Sequence, residues 1–178
     1  MVSWKGGVAL AAILAIVVIV VLVTRPHPAP SAPTFIPCGP NNALVLTIQG
    51  GGTTFSMERP STSDLWTVTQ PVTGPADDTG AVGLLSAVSS VDILSTLRNP
   101  KTATTYGLSP PHDTIVCSTQ AGVLYQLTIG SQSFDSSGYY AQRNADRRVY
   151  VIDGTGVLTL LDALTTPPLQ ASPTPLPS

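Results

Sequence analysis

The chain has 178 residues with a formal net charge of −2 and an isoelectric point near 5.4, and only 10% of its residues are charged. That is well under the usual quarter, so its surface is built mainly from Ser, Thr, Gln, Gly and Pro. No basic footprint for nucleic acid exists, and a surface this weakly hydrated suits packing against partners.

Residues 6–24 carry no charged side chain. At 1.5 Å per residue, about 19 residues make a helix of roughly 28 Å, close to the hydrocarbon thickness of a bilayer. A secretory signal has a shorter apolar core with a small-residue cleavage site directly after it. Here the run ends in Leu22, Val23, Thr24, Arg25 and Pro26. The pattern predicts a retained transmembrane helix over 6–24 behind a cytoplasmic tail of residues 1–5. A long domain after a short tail translocates largely regardless of charge. The expectation is therefore a single-pass protein of the cell membrane, with its main domain on the periplasmic or extracellular side. Gly6, Gly7, Ala11 and Ala15 are candidates for packing against another membrane helix, because small residues allow close approach.

Residues 25–37 ("RPHPAPSAPTFIP") read as an extended proline-rich linker, and residues 165–178 as a tail of the same kind. Between them an extracytoplasmic body spans 38–164. "ALVLTIQ" and "TTFSMER" are strand-like runs joined by Gly50-Gly51-Gly52, a hairpin signal. "LWTVTQP" adds a third strand with Trp66 as a core candidate. "DDTGAVGLLSAV" changes period to that of a helix, with Asp77 or Asp78 as cap and Val82, Leu85 and Val88 on one face.

The second half repeats this order. "DTIVCST" and "VLYQLTIG" form a hairpin about Gln120-Ala121-Gly122, "YYAQRN" and "RRVYVID" follow as strands, and "DGTGVLTLLDAL" closes as a helix. The fold class expected is α+β: an amino-terminal transmembrane helix plus a β-rich domain of two hairpin–strand–helix units, an internal duplication with Gly80 and Gly156 at equivalent helix starts. Leu85, Tyr106, Leu108 and Tyr125 join Trp66 as core candidates.

Several of these stretches, "LWTVTQP" with "ADD", "TTYGLSPP", "LTIG", "YYA" and "VYVID", resemble an uncharacterised bacterial family. Its members have an amino-terminal anchor and an extracytoplasmic body and are often encoded beside gliding-motility-type ABC transporters. Tyr106-Gly107-Leu108 with the prolines after it is the most specific element. The resemblance implies no catalytic residue. In build the chain is also similar to small accessory subunits of electron-transfer complexes of the alternative complex III type.

No catalytic or cofactor constellation emerges. His27 and His112 have no second ligand at metal spacing, and two cysteines are too few for an iron–sulfur cluster. "QGGGTT" lacks the lysine of a phosphate loop, and Glu58 is the sole glutamate. Arg143, Arg147 and Arg148 are interleaved with Asp146 and Asp153, as in a locally paired, solvated patch. Cys38 and Cys117 can close a loop of about 80 residues, contributing about 3–4 kcal/mol. Equally, Cys117 can serve as a small core residue in its strand, and the sequence leaves both open.

The function expected is a non-catalytic accessory or scaffold subunit, without enzyme activity, cofactor, metal or small-molecule substrate. Its partners would be the lipid bilayer and larger integral membrane subunits with their extracytoplasmic domains, in a respiratory or photosynthetic electron-transfer complex. The alternative is an extracytoplasmic auxiliary of an ABC transporter, told apart by whether its companions are an ATPase and permease or a quinol oxidase and cytochromes.

Overall fold

The structure, a computed structural model, describes residues 34–144 and 146–171. The expected cytoplasmic tail, the span over 6–24 with Gly6, Gly7, Ala11 and Ala15, most of the linker and residues 172–178 lie outside the described residues. Among the described residues no helix is long and apolar enough to cross a membrane.

Strand β1 (Ala43–Gly50) buries Ala43, Leu46 and Ile48, and β2 (Thr53–Glu58) buries Phe55 and Met57. The turn between them is short because Gly51 and Gly52 both take positive φ, +57° and +79°. A two-residue turn matched to strand twist requires that conformation at both positions. Strands β3 (Thr67–Gln70) and β4 (Gly74–Pro75) continue the meander outward. Helix α1 (Asp78–Ser89) starts at Asp77, whose carboxylate accepts from the Gly80 N–H at 2.7 Å. It buries Ala81, Leu84, Leu85 and Val88. Leu85 and Val88 of the expected stripe are thus buried, whereas Val82 stands 47% exposed and Ala81 and Leu84 complete the buried face.

After β5 (Ile93–Thr96) the chain crosses over through a 3₁₀ turn (Ala103–Tyr106) into β6 (Asp113–Thr119). Strands β7 (Leu124–Gln132), β8 (Gly138–Arg143) and β9 (Tyr150–Asp153) form a second meander. Helix α2 (Gly154–Asp162) is capped by Asp153, which accepts from the Thr155 N–H at 3.0 Å.

The expected pair of separate units is overturned. All nine strands among the described residues form one sheet, in the order β4-β3-β2-β1-β6-β7-β8-β9-β5, and every neighbouring pair is antiparallel. The architecture is a single β-rich layer with two helices, rather than two α+β units. The physical reason lies in β1 and β6. Each hairpin alone would leave one strand's N–H and C=O groups unpaired. Instead β1 and β6 pair with each other from Val45↔Ser118 to Gly50↔Asp113, fusing the meanders. Both helices pack on one face and on each other, over a continuous core that includes Phe55, Met57, Ile115, Leu127, Ile129 and Ile152.

The body also begins earlier than residue 38. Phe35 and Ile36 are buried in that core, and Cys38 and Cys117 are joined as a disulfide with Cα atoms 6.3 Å apart. At the other end Leu169 pairs with Ala76, the Asp77 N–H donates to the Pro168 carbonyl at 2.9 Å, and the Gln170 N–H donates to Pro75 at 3.0 Å. The first residues of the expected tail therefore cover the β4 edge of the sheet.

Candidate functional site

Trp66 is 3% exposed and Leu85 is fully buried, both in the main core, with half-buried Tyr125 packed against it. Trp66 lies under the Arg59 guanidinium, 4.5 Å from the ring centroid. Arg59 is itself buried and donates to the carbonyls of Ala43, Thr62 and Pro40. Burial pushes its pKa below the ordinary value, with Asp64 opposing. Through these backbone carbonyls the cation ties loops together.

The arginines near the end also act on structure. Arg143 donates to the Phe35 carbonyl at 2.7 Å and lies over the Phe35 ring, whose other neighbour is Tyr150, edge-on at 4.9 Å. Arg148 pairs with Asp146 at 2.8 Å, and the Tyr150 hydroxyl donates to the same carboxylate. The Arg148 backbone N–H, with these side chains, lowers the Asp146 pKa. Burial and Asp146 together raise that of Tyr150. This cluster pins the point where the chain enters the domain.

Tyr106 and Leu108 belong to a second, smaller cluster with Val149, joined by Leu97, Ala103 and Tyr140. Side chains alternate along a strand. Tyr140, Val149 and Val151 thus point away from the helices, while Ala141, Tyr150 and Ile152 point towards them. The Tyr106-Gly107-Leu108 stretch covers this far face. Gly107 turns the chain with φ +68°, and the turn lies directly on β7 at Gly130. A Cβ placed on Gly130 would fall 2.1 Å from the Tyr106 carbonyl oxygen. Tyr106 then meets Tyr140 with centroids 4.8 Å apart.

Beside this platform the β7–β8 turn presents Phe134, 99% exposed. The turn is held from within by one carboxylate. Ser133 and Ser137 hydroxyls donate to Asp135 at 2.7 and 2.8 Å, and the Ser137 N–H donates at 3.2 Å. These bonds hold the Asp135 pKa down at about 2, the Ser133 hydroxyl contributing most. Ser133 also accepts from Gly138, and the Phe134 N–H donates to the Tyr140 hydroxyl at 3.3 Å. A depression of about 270 Å³ lies here, lined by Leu97, Ser133, Phe134, Asp135, Tyr140 and Val151.

Sequence reasoning did not single out Phe134. Its signal was present: one aromatic residue inside "SQSFDSSG", where Ser, Asp and Gly otherwise announce an exposed turn.

A second depression, of about 310 Å³, lies over the glycine turn between Thr53 and His112-Asp113. Burial raises the Asp113 pKa, against His112. Among the described residues no group of three or more His, Cys, Asp or Glu side chains could hold a metal.

Compared with known families, residues 66–165 match the domain of unknown function DUF4340. The chain belongs to the DUF4340 family. The match runs from Trp66, the buried partner of Arg59, past the end of α2. It takes in the Tyr106-Gly107-Leu108 cover, Gly130 and the Phe134 turn, whereas β1, β2 and Cys38 precede it. No curated protein and no solved structure matches this DUF4340 chain.

Proposed function

We propose that this DUF4340 protein is a non-catalytic accessory subunit, held at the cell membrane by residues 6–24, whose outer domain binds a larger membrane complex. The observation that carries this reading is Phe134. An aromatic side chain 99% exposed on a turn already cross-linked by hydrogen bonds loses little entropy on docking. Aromatic anchors of this kind dominate binding energies at interfaces. The adjacent depression offers Tyr140, Leu97 and Val151 as apolar walls and Asp135 as a polar rim. The companions expected are integral subunits of a respiratory or photosynthetic electron-transfer complex.

The resemblance to anchored proteins encoded beside gliding-motility-type ABC transporters favours a second reading as an extracytoplasmic auxiliary of such a transporter. One experiment addresses both. Tagged wild-type chain and its Phe134→Ala variant are extracted in mild detergent, sized, and their companions identified by mass. The proposal expects co-migrating membrane subunits that the variant loses; a wild-type chain running alone would end it. An ATPase and permease among the companions would select the transporter reading, quinol oxidase or cytochrome subunits the first.

A further inference from the structure

The two edges of the sheet are treated differently. The β4 edge is covered by residues 168–170, as described above. Among the described residues β5 pairs only with β9, and all four of its residues are exposed, with Ile93 at 43% and Leu94 at 50%. The strand reads Ile-Leu-Ser-Thr, with no charge and no proline of the kind that guards an edge.

We infer that the occupant of this edge is a second copy of the chain, paired antiparallel through β5 about a two-fold axis at Thr96. The backbone selects the register. The Leu97 N–H donates to the carbonyl of Val149, the residue before β9, at 2.9 Å, so the Leu97 N–H faces inward, towards the neighbouring strand. Residues opposite each other in an antiparallel pair alternate between bonded and unbonded. Thr96, opposite Tyr150, therefore turns its N–H and C=O outward. Two copies can exchange both bonds between their Thr96 residues, and only a two-fold arrangement makes that contact identical from both sides.

The flanking charges select the direction. Asp92 precedes the strand and Arg98 follows it, both exposed. With Thr96 on the axis, Leu94 lies opposite Arg98 of the second copy. Asp92 then lies diagonal to that arginine, within reach of a long side chain. Parallel pairing would instead set Asp92 beside Asp92 and Arg98 beside Arg98. The extra residue of β5 relative to β9 lies between Ile93 and Ser95, to one side of the axis, so the contact is short and centred on residues 94–98. Pairing at an edge adds strands in the plane of the sheet, and this goes beyond the partner reading above, which uses the Phe134 turn.

The test uses the full chain in mild detergent, measured by analytical ultracentrifugation with the detergent density-matched. A dimer is expected. Leu94→Lys, facing Arg98 of the second copy in two symmetric contacts, should weaken it at least tenfold, while Leu94→Glu should preserve it. Thr96→Cys should cross-link to itself under mild oxidation, and Leu65→Cys, on a distant exposed loop, should not. A monomer at all concentrations, equal weakening by Lys and Glu, or no Thr96→Cys cross-link in folded protein would each overturn the inference. So would capture of a different subunit by Thr96→Cys in membranes. None of these results bears on whether Phe134→Ala strips the chain from its complex, so the two proposals fail separately.

Discussion

Gly130→Ala isolates one contact, the seat of the Tyr106-Gly107-Leu108 turn on β7. Gly130 lies in a strand and needs no unusual φ, so conformational freedom alone would let alanine stabilise the chain by about 0.4–1 kcal/mol. Space reverses the sign. The new Cβ would meet the Tyr106 carbonyl oxygen at 2.1 Å and the Gly107 carbonyl carbon at 3.1 Å. These are backbone atoms and cannot rotate aside. Overpacking in a fitted contact costs about 1–3 kcal/mol. If the turn lifts to relieve it, Tyr106, Leu108 and Val149 lose their cover, at up to roughly 1.5–3 kcal/mol for each large side chain fully uncovered. A destabilisation of at least about 2 kcal/mol is expected, a fall of roughly 6–8 °C in Tm for a domain of this size. The assay is urea unfolding of the full chain in mild detergent, followed by near-ultraviolet circular dichroism, where the Tyr106–Tyr140 pair should weaken. Gly83→Ala is the control. It sits exposed within α1 with nothing near its added Cβ, and should stabilise by about 0.5–1 kcal/mol. If Gly130→Ala proves neutral, or behaves like Gly83→Ala, the reasoning about this seat is refuted.

Trp66→Ala should cost about 3–5 kcal/mol, because the ring is 3% exposed and carries the buried Arg59 guanidinium. A loss under about 1 kcal/mol in urea would place the indole outside the core. Replacing Cys38 and Cys117 together by serine opens a loop with a separation of 79 residues and should cost about 4 kcal/mol. An unchanged urea midpoint would exclude that contribution. For Asp135 the folded pKa, about 2, lies below the unfolded value near 3.9. The contribution of its hydrogen bonds is therefore complete above about pH 4 and is lost as pH falls through about 2. The Asp135 carboxyl resonance should titrate near 2, with the Ser137 amide following it; a midpoint near 4 would show that the serines do not hold the carboxylate.

What was legible in the chain was local. The turn at Gly51 and Gly52 could be read because few other residues take positive φ at two successive positions. Both helix starts could be read because Asp77 and Asp153 supply the acceptors that free N–H groups demand. The main strands followed from alternation. β4 and β5 did not, since β4 has two residues and β5 buries none, leaving no period to detect. In the helix stripe Leu85 and Val88 were read correctly, but Ala81 and Leu84 are buried in place of Val82.

By itself the sequence determined most of the strands and the two stretches that become helices, because each depends on residues close along the chain. Tertiary structure alone decided that the two meanders are one sheet, since β1 meets β6 only across some seventy intervening residues. It likewise decided that residues 168–170 cover the β4 edge, that β5 pairs only with β9 among the described residues, and that Phe134 stands outside the core. Pairing and burial are set by which surfaces remain after the nearest ones have closed, and that remainder is a property of the whole packed domain.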